Sequence, residues 1–238
     1  MASYKREKIT SSAIKMLKRQ TVAIKIIVVG SLPSDKIVAE NNKVFYIESP
    51  NNPLSLKWQL GVNEARKLNP SHLMICGSDV WLSSNWVKNS IPFFKDFNIT
   101  GKNSFYTCSI LPNEKIQIIH RGYKKRRRNN PVGSGRIYSK KILDQINWGL
   151  YEGRLNKGLD GLNKKITEKI EKVKIIYDNS MINLSFKSTW STITPWNKLK
   201  KSKALKKFNN IQNPKKWISS RFPRGLEIIK GIEPEVKL

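Results

Sequence analysis

His72-Leu73-Met74-Ile75-Cys76-Gly77-Ser78-Asp79-Val80-Trp81-Leu82 is the stretch that decides the fold. Its apolar-leaning first half ends abruptly at Gly77-Ser78-Asp79, as a buried strand does when it delivers a carboxylate to the end of a sheet. Asp79 is one of 17 acidic residues in a chain with 45 Lys and Arg, so an acid at a strand end stands out. Two roles compete for it: holding a hard cation through its oxygens, or capping the helix that follows, for which Ser78 would also serve.

Working outward, strand and helix patterns alternate. Arg6 to Gln20 carries Ile9, Ala13, Ile14 and Leu17 at helical spacing. Val22 to Val29 is a β-branched run closed by Gly30-Ser31, and Lys43 to Ile47 is a second strand. Asp35 to Glu40 between them is a short helix. Leu54 to Leu68 is a longer one, stopped by Asn69-Pro70. Beyond the focal stretch, Ser83 or Ser84 caps a helix through Val87. Phe105 to Ile110 and Ile116 to Ile119 form a hairpin, and Gly122 to Gly135 is a loop. Ser139 to Ile146 and Leu159 to Lys172 read as helices, Val173 to Tyr177 and Ile182 to Phe186 as closing strands. The alternation predicts an α/β fold with a mixed, mostly parallel sheet flanked by helices. From residue 189 the pattern fades. Residues 190–238 hold 12 Lys and Arg against 3 Glu, with Trp190, Trp196, Phe208, Trp217 and Phe222 among them. The expectation is one domain over residues 1–188 and a basic, aromatic-bearing extension over 189–238.

The 238 residues carry a formal charge of +28. An AT-rich coding bias would inflate Lys but would not deplete Asp and Glu, so a polyanionic partner, nucleic acid above all, is the expectation. An apolar content of 39% supports a real core. No apolar run approaches the roughly 20 residues of a membrane span, and no signal peptide is visible, so the chain reads as cytosolic, in the host cytoplasm if its source is a virus. Cys76 and Cys108 lie in strand-like runs and read as buried thiols. Oligomeric state leaves no mark.

Gln59, Gly61 and Ala65 form a polar-x-Gly-x-x-x-Ala helix pattern ahead of the Gly77-Ser78-Asp79 strand end, with Gly30-Ser31 upstream and Gly158-Leu159-Asp160 downstream. In that order, over about Ser3 to Lys187, the chain resembles the GT-A-type glycosyltransferases, whose fold is Rossmann-like. The resemblance implies transfer of a sugar from a nucleotide-sugar donor to an acceptor hydroxyl. It implies Gly30, Ser31, Lys57, Gln59, Ser78 and Arg136 for donor binding, Asp79 for a Mg²⁺ or Mn²⁺ ion, and Asp160 as general base. Such a metal neutralises the charge that develops on the diphosphate, and such a base takes the proton of the attacking hydroxyl. Val80 stands where a second Asp is common in that family. Only Met1 to Tyr4 precede the first helix, where family members begin with a full strand.

Arg121 to Lys141 contains nine Lys and Arg and no acid. Lys124, Lys125, Arg126, Arg127 and Arg128 at its centre repel one another unless a polyanion lies across them, although a solvated charge run or an address signal has the same composition. Tyr123 beside them could stack on a base. Lys215, Lys216, Trp217 and Arg221 have the mixture of a single-strand binding surface. His120 is a conceivable further metal ligand. Charge and resemblance together point to DNA as acceptor, plausibly hydroxymethylated bases, which would have to be unpaired first. Two alternatives stand: a degenerate transferase kept as a basic nucleic-acid-binding protein, and a glycan transferase from a Lys-rich proteome.

Overall fold

The computed structural model describes residues 1–123, 129–151, 153–156, 158–159, 161, 172–189, 196 and 209–238. The focal stretch proves to be two strands in two sheets. His72–Ile75 is β3, paired antiparallel with β8 (Arg136–Ser139). Val80–Leu82 is β4, paired antiparallel with β10 (Asn183–Lys187). The chain changes sheet at Gly77-Ser78-Asp79. The Gly77 N–H donates to Ser134 Oγ at 2.9 Å, and a Cβ there would lie 3.0 Å from that oxygen and 3.1 Å from Asp79 Oδ1, so any larger residue would have to push those side chains back. Asp79 therefore sits on a seam between sheets rather than at the end of one continuous strand.

Around that seam, β1 (Ile27–Gly30) and β2 (Phe45–Glu48) form a parallel pair. A four-stranded sheet runs β3-β8-β5-β9, with β5 at Ile99–Gly101 and β9 at Val173–Ile175. A five-stranded sheet runs β11-β7-β6-β10-β4, with β6 at Ser104–Ser109, β7 at Gln117–Gly122 and β11 at Asn209–Asn210. The α/β class is as expected and the sheets are mixed. The balance of pairings is not: among the described residues three are parallel and five antiparallel. The β6–β7 hairpin and the return of β8 beside β3 account for the difference, and β8 lay in sequence between an expected loop and an expected helix.

Helices α1 (Glu7–Lys18), α2 (Pro33–Asn41) and α3 (Leu54–Lys67) match their expected spans within two residues or so. α4 (Trp86–Ser90) is a single short helix, and α5 (Lys140–Gln145) is capped by Ser139 Oγ accepting from the Ile142 N–H. α1 is buried on two sides. Ile9, Ala13 and Met16 join one core with Trp81, Leu184 and Phe186; Ile14 and Leu17 join a second with Val28, Val80 and Trp86. A third core gathers Val62, Ile75, Tyr138 and Trp148.

The last 25 residues do not hang off the domain. α6 (Pro214–Ser219) and α7 (Gly225–Ile232) send Trp217, Ile218, Phe222 and Ile229 into the first core, against Trp81 and Ile9. The basic composition hid this, because the apolar residues are few and widely spaced. Val22 to Ile26, expected as strand, is not in a ladder; among the described residues only Ile27–Gly30 of that run is a paired strand, with the Ile26 carbonyl accepting from the Phe45 N–H at 3.1 Å.

The absent first strand is present in miniature. The Met1 carbonyl accepts the Val29 N–H at 2.8 Å, the Ser3 N–H donates to the Val29 carbonyl at 2.9 Å, and Ala2 bridges Val29 in parallel. Both cysteines are buried free thiols. No helix of the described residues is long and apolar enough to cross a membrane.

Candidate functional site

Asp79 is placed by β10. The Phe186 N–H donates to the Asp79 carbonyl at 2.9 Å, and that register brings the next side chain, Lys187, onto the carboxylate. Lys187 Nζ lies 3.1 Å from Oδ2. Arg6, the residue that precedes α1, adds its guanidinium at 3.8 Å from the same oxygen. Only 16% of the Asp79 side chain is exposed. Burial pushes its pKa up, but Lys187 and then Arg6 outweigh that and hold the carboxyl below its ordinary value.

Lys57 is the second fixed charge. It is fully buried in the first turns of α3. Its Nζ donates to Ser31 Oγ at 2.7 Å, to Asn51 Oδ1 at 3.3 Å, and to the Ser3 carbonyl. The Tyr4 ring lies 5.7 Å away. None of these partners is charged. Burial lowers the Lys57 pKa to about 8; Asp35 opposes the fall and Arg6 deepens it. An ammonium in this position is short of negative charge.

Asp35 ties the two parts together. Its carboxylate accepts from Ser3 Oγ at 2.7 Å and from the Ser31 and Leu32 N–H groups at 2.9 and 3.2 Å. Ser3 Oγ also lies 3.0 Å from Thr10 Oγ1. Gly30 makes the turn possible, since a Cβ there would sit 2.4 Å from Asp35 Cβ and 2.7 Å from the Tyr46 ring. The segment Met1–Arg6 is thus laid across the end of β1: Ser3 contacts Lys57 and Asp35, and Arg6 reaches Asp79. Arg6 and Lys187 meet at Asp79, and Lys57 lies within electrostatic reach of Asp35 and Arg6. Basic side chains gathered at the C-terminal end of a parallel strand suit an anion.

A divalent metal does not fit this donor set. Asp79 Oδ2 already faces two cations, and Val80, in the place of a second acid, is 4% exposed in an apolar core. Among the described residues no three His, Cys, Asp or Glu cluster in a way that could hold a metal. Mg²⁺ and Mn²⁺ require several oxygen ligands. His120, the further candidate ligand, stacks on Tyr106 with ring centroids 4.6 Å apart.

Of the donor-binding residues named from sequence, Gly30, Ser31 and Lys57 come together, and Ser78 is buried in the adjacent turn. Two others are committed elsewhere. Gln59 spans the Trp148 carbonyl at 2.8 Å and the Tyr151 N–H at 2.9 Å, locking that turn onto α3. Arg136 is buried in β8, its guanidinium donating to the Tyr138 hydroxyl at 3.1 Å and to the Pro131 carbonyl. Asp160 and the run Lys124, Lys125, Arg126, Arg127, Arg128 lie outside the described residues. Tyr123 follows β7, its N–H on the Asn103 carbonyl at 2.8 Å. Trp217 corrects an expectation: it is 8% exposed, packs on Tyr106 at 4.5 Å and has Arg221 over its ring at 4.7 Å. It is a core residue rather than an open stacking platform, which leaves Lys215, Lys216 and Arg221 as the exposed part of that patch. Arg6, Asp35, Asn51 and Lys187 were not singled out from sequence. Lys187 lies just past an expected strand and Asp35 opens an expected helix, and neither position alone marks a site.

No family model and no curated protein matches the chain. Among solved structures it is similar to a CMP-2-keto-3-deoxy-manno-octonic acid synthetase in complex with CTP, at 10% identity and a TM-score of 0.37, over 84% of this chain and 87% of that one. The likeness is one between α/β chains and extends no further.

Proposed function

We propose that the crevice at the end of β1 binds the diphosphate of a nucleotide-sugar and that the chain is a glycosyltransferase whose acceptor is a polyanion, plausibly the hydroxymethylated bases of DNA. The observation that carries this reading is the gathering of basic side chains near the end of β1: Arg6 and Lys187 on Asp79, and Lys57 on Ser31. A diphosphate leaving group gains charge as the glycosidic bond breaks, and fixed cations in a partly dry site stabilise that charge. Lys57, buried beneath Ser31 with its three N–H groups donated to Ser31, Asn51 and the Ser3 carbonyl, acts on such an anion through its charge rather than by contact. The motif order that resembles GT-A enzymes supports a sugar nucleotide over other phosphates. The charge of +28 supports a nucleic acid acceptor. Asp160 is the candidate base for the acceptor hydroxyl.

One observation favours a second reading, a basic nucleic-acid-binding protein without catalysis: the Asp79 carboxylate is already neutralised by two cations. The two readings separate in one experiment. The chain is incubated with radiolabelled nucleotide-sugars and hydroxymethylated DNA, in single and double strands. Label on the DNA that is lost in Asp160→Asn supports the transferase. DNA affinity with a steep salt dependence, but no label from any donor, leaves the binding protein.

A further inference from the structure

Helix α1 leaves the crevice at Arg6 and ends beside the α6–α7 turn. Two of its sides are buried in cores, and the side left to solvent is basic. Lys8, Lys15 and Arg19 are exposed there. At about 100° per residue they fall within about 40° of one another, so they form one line along the helix. The line is about 16 Å long, at a rise of about 1.5 Å per residue. Its far end meets a second basic segment that is distant in sequence. The Arg19 guanidinium donates to the Pro223 carbonyl at 3.1 Å and reaches Met16 Sδ at 3.7 Å. Just before Pro223, Arg221 lies over the Trp217 ring at 4.7 Å and donates to Ser220 Oγ at 2.9 Å. Lys215 and Lys216 are exposed on α6 beside it. The acids closest in sequence to these cations are already engaged: Glu7 accepts from Ser34 Oγ at 2.6 Å, toward α2, and Glu227 accepts from Arg224.

We infer that the line on α1 and the α6–α7 corner form one track for the backbone of a nucleic-acid duplex, laid so that it leads to the Asp79 crevice. The inference rests on the nucleic-acid reading above only for the nature of the polyanion, and it needs no sugar donor. A row of cations matches a row of phosphates, whereas a small anion would leave most of the row repelling itself. Arg19 and Arg221 are already held by their neighbours, so they lose little freedom on binding. The corner favours a duplex over a single strand because its rings are closed off. Trp217 is 8% exposed and Phe222 2%, and a single-strand surface needs open aromatic faces for the bases. A lipid surface fits no better: Ala13, Met16 and Leu17 on α1 are buried, which leaves no apolar face to insert. The α1 line alone spans roughly half a helical turn of duplex. Contacts of this kind set position and register and read no sequence.

The test measures affinity against salt by filter binding, on a DNA duplex of roughly two turns and on its separated strands. Three forms of the full chain are compared: the parent, Lys8→Ala with Lys15→Ala and Lys216→Ala, and Lys43→Ala with Lys67→Ala and Lys95→Ala. The third form removes the same charge from exposed positions on other elements. Loss of three phosphate contacts lowers the slope of log affinity against log salt by about 2–3 in the second form and leaves the third close to the parent. The duplex binds more tightly than either strand. Equal slopes for the two variants overturn the inference, because overall charge then accounts for the binding. Tighter binding to single strands, or to phosphatidylserine vesicles, overturns it as well. No affinity for any nucleic acid removes both this inference and the nucleic-acid reading. The slopes are read without a donor, so failure of sugar transfer is a separate result. If a variant unfolds, the parent chain decides: bound duplex slows acetylation of Lys8, Lys15 and Lys216 but not of Lys43, Lys67 and Lys95, and uniform protection contradicts the track.

Discussion

Lys57→Met removes the ammonium but keeps the buried stem, and its consequence is a change in how stability depends on pH. In the folded chain the Lys57 pKa is about 8, against an ordinary lysine value of 10.5. Between those values the unfolded chain holds the proton more tightly, so stability rises with pH through that window. The gain is roughly 2 kcal/mol between pH 8 and pH 10, and about 3 kcal/mol of desolvation cost is in force at pH 7. Against that cost stand the bonds to Ser31 Oγ, Asn51 Oδ1 and the Ser3 carbonyl, at about 1–2 kcal/mol each for a charged donor. At pH 7 the substitution therefore lies between about neutral and 3 kcal/mol destabilising. Other lysines also titrate above pH 9, and relief of the +28 charge stabilises both proteins alike. The difference between the two isolates Lys57. Urea unfolding at half-unit steps from pH 7 to pH 10 measures it. The gap between parent and Lys57→Met should move in the parent's favour by roughly 2 kcal/mol over the upper two units. Parallel profiles would refute the claim that Lys57 is buried short of negative charge.

Asp79→Asn leaves Lys187 and Arg6 facing each other and costs about 1–3 kcal/mol at pH 7, allowing for partial exposure. Because the folded carboxyl is held below its ordinary value, that contribution is present above the ordinary carboxylate pKa and is lost as pH falls through the folded one; acid titrations of the two proteins converge at the low end. Trp217→Ala costs about 3–5 kcal/mol in denaturant unfolding, as a core truncation does. Lys215→Ala with Lys216→Ala leaves stability within about 0.5 kcal/mol and, where DNA lies over this patch, lowers the slope of log affinity against log salt by up to about 2 in filter binding. Gly30→Ala forces Asp35 and Tyr46 apart and costs about 1–3 kcal/mol, with loss of nucleotide binding by calorimetry because the Ser31–Asp35 turn moves.

The α/β class and the three long helices were legible because their periodicity is local. The split of His72 to Leu82 between two sheets was not, since Gly77-Ser78-Asp79 reads equally as a strand end. β8 was invisible as a four-residue strand, Arg-Ile-Tyr-Ser, directly before a helix cap. Gly30, Ser31 and Lys57 were named for donor binding through the resemblance, and the structure sets Lys57 against Ser31. Lys187 and Arg6 could not be found: among 45 basic residues nothing local distinguishes the two that reach Asp79, and only the β4–β10 register and the turn into α1 select them. The same abundance of charge made Trp217 look like a surface residue, because its neighbours Lys215, Lys216 and Arg221 are exposed while its own ring points inward.

The most direct test of the central claim is calorimetric titration of a panel of nucleotide-sugars at pH 8.5, in EDTA, in two buffers of different ionisation enthalpy. The account predicts binding that survives EDTA and takes up a fraction of a proton per ligand, because the diphosphate raises the Lys57 pKa that burial has lowered to about 8. Binding that requires a divalent metal, or that takes up no proton, would contradict it.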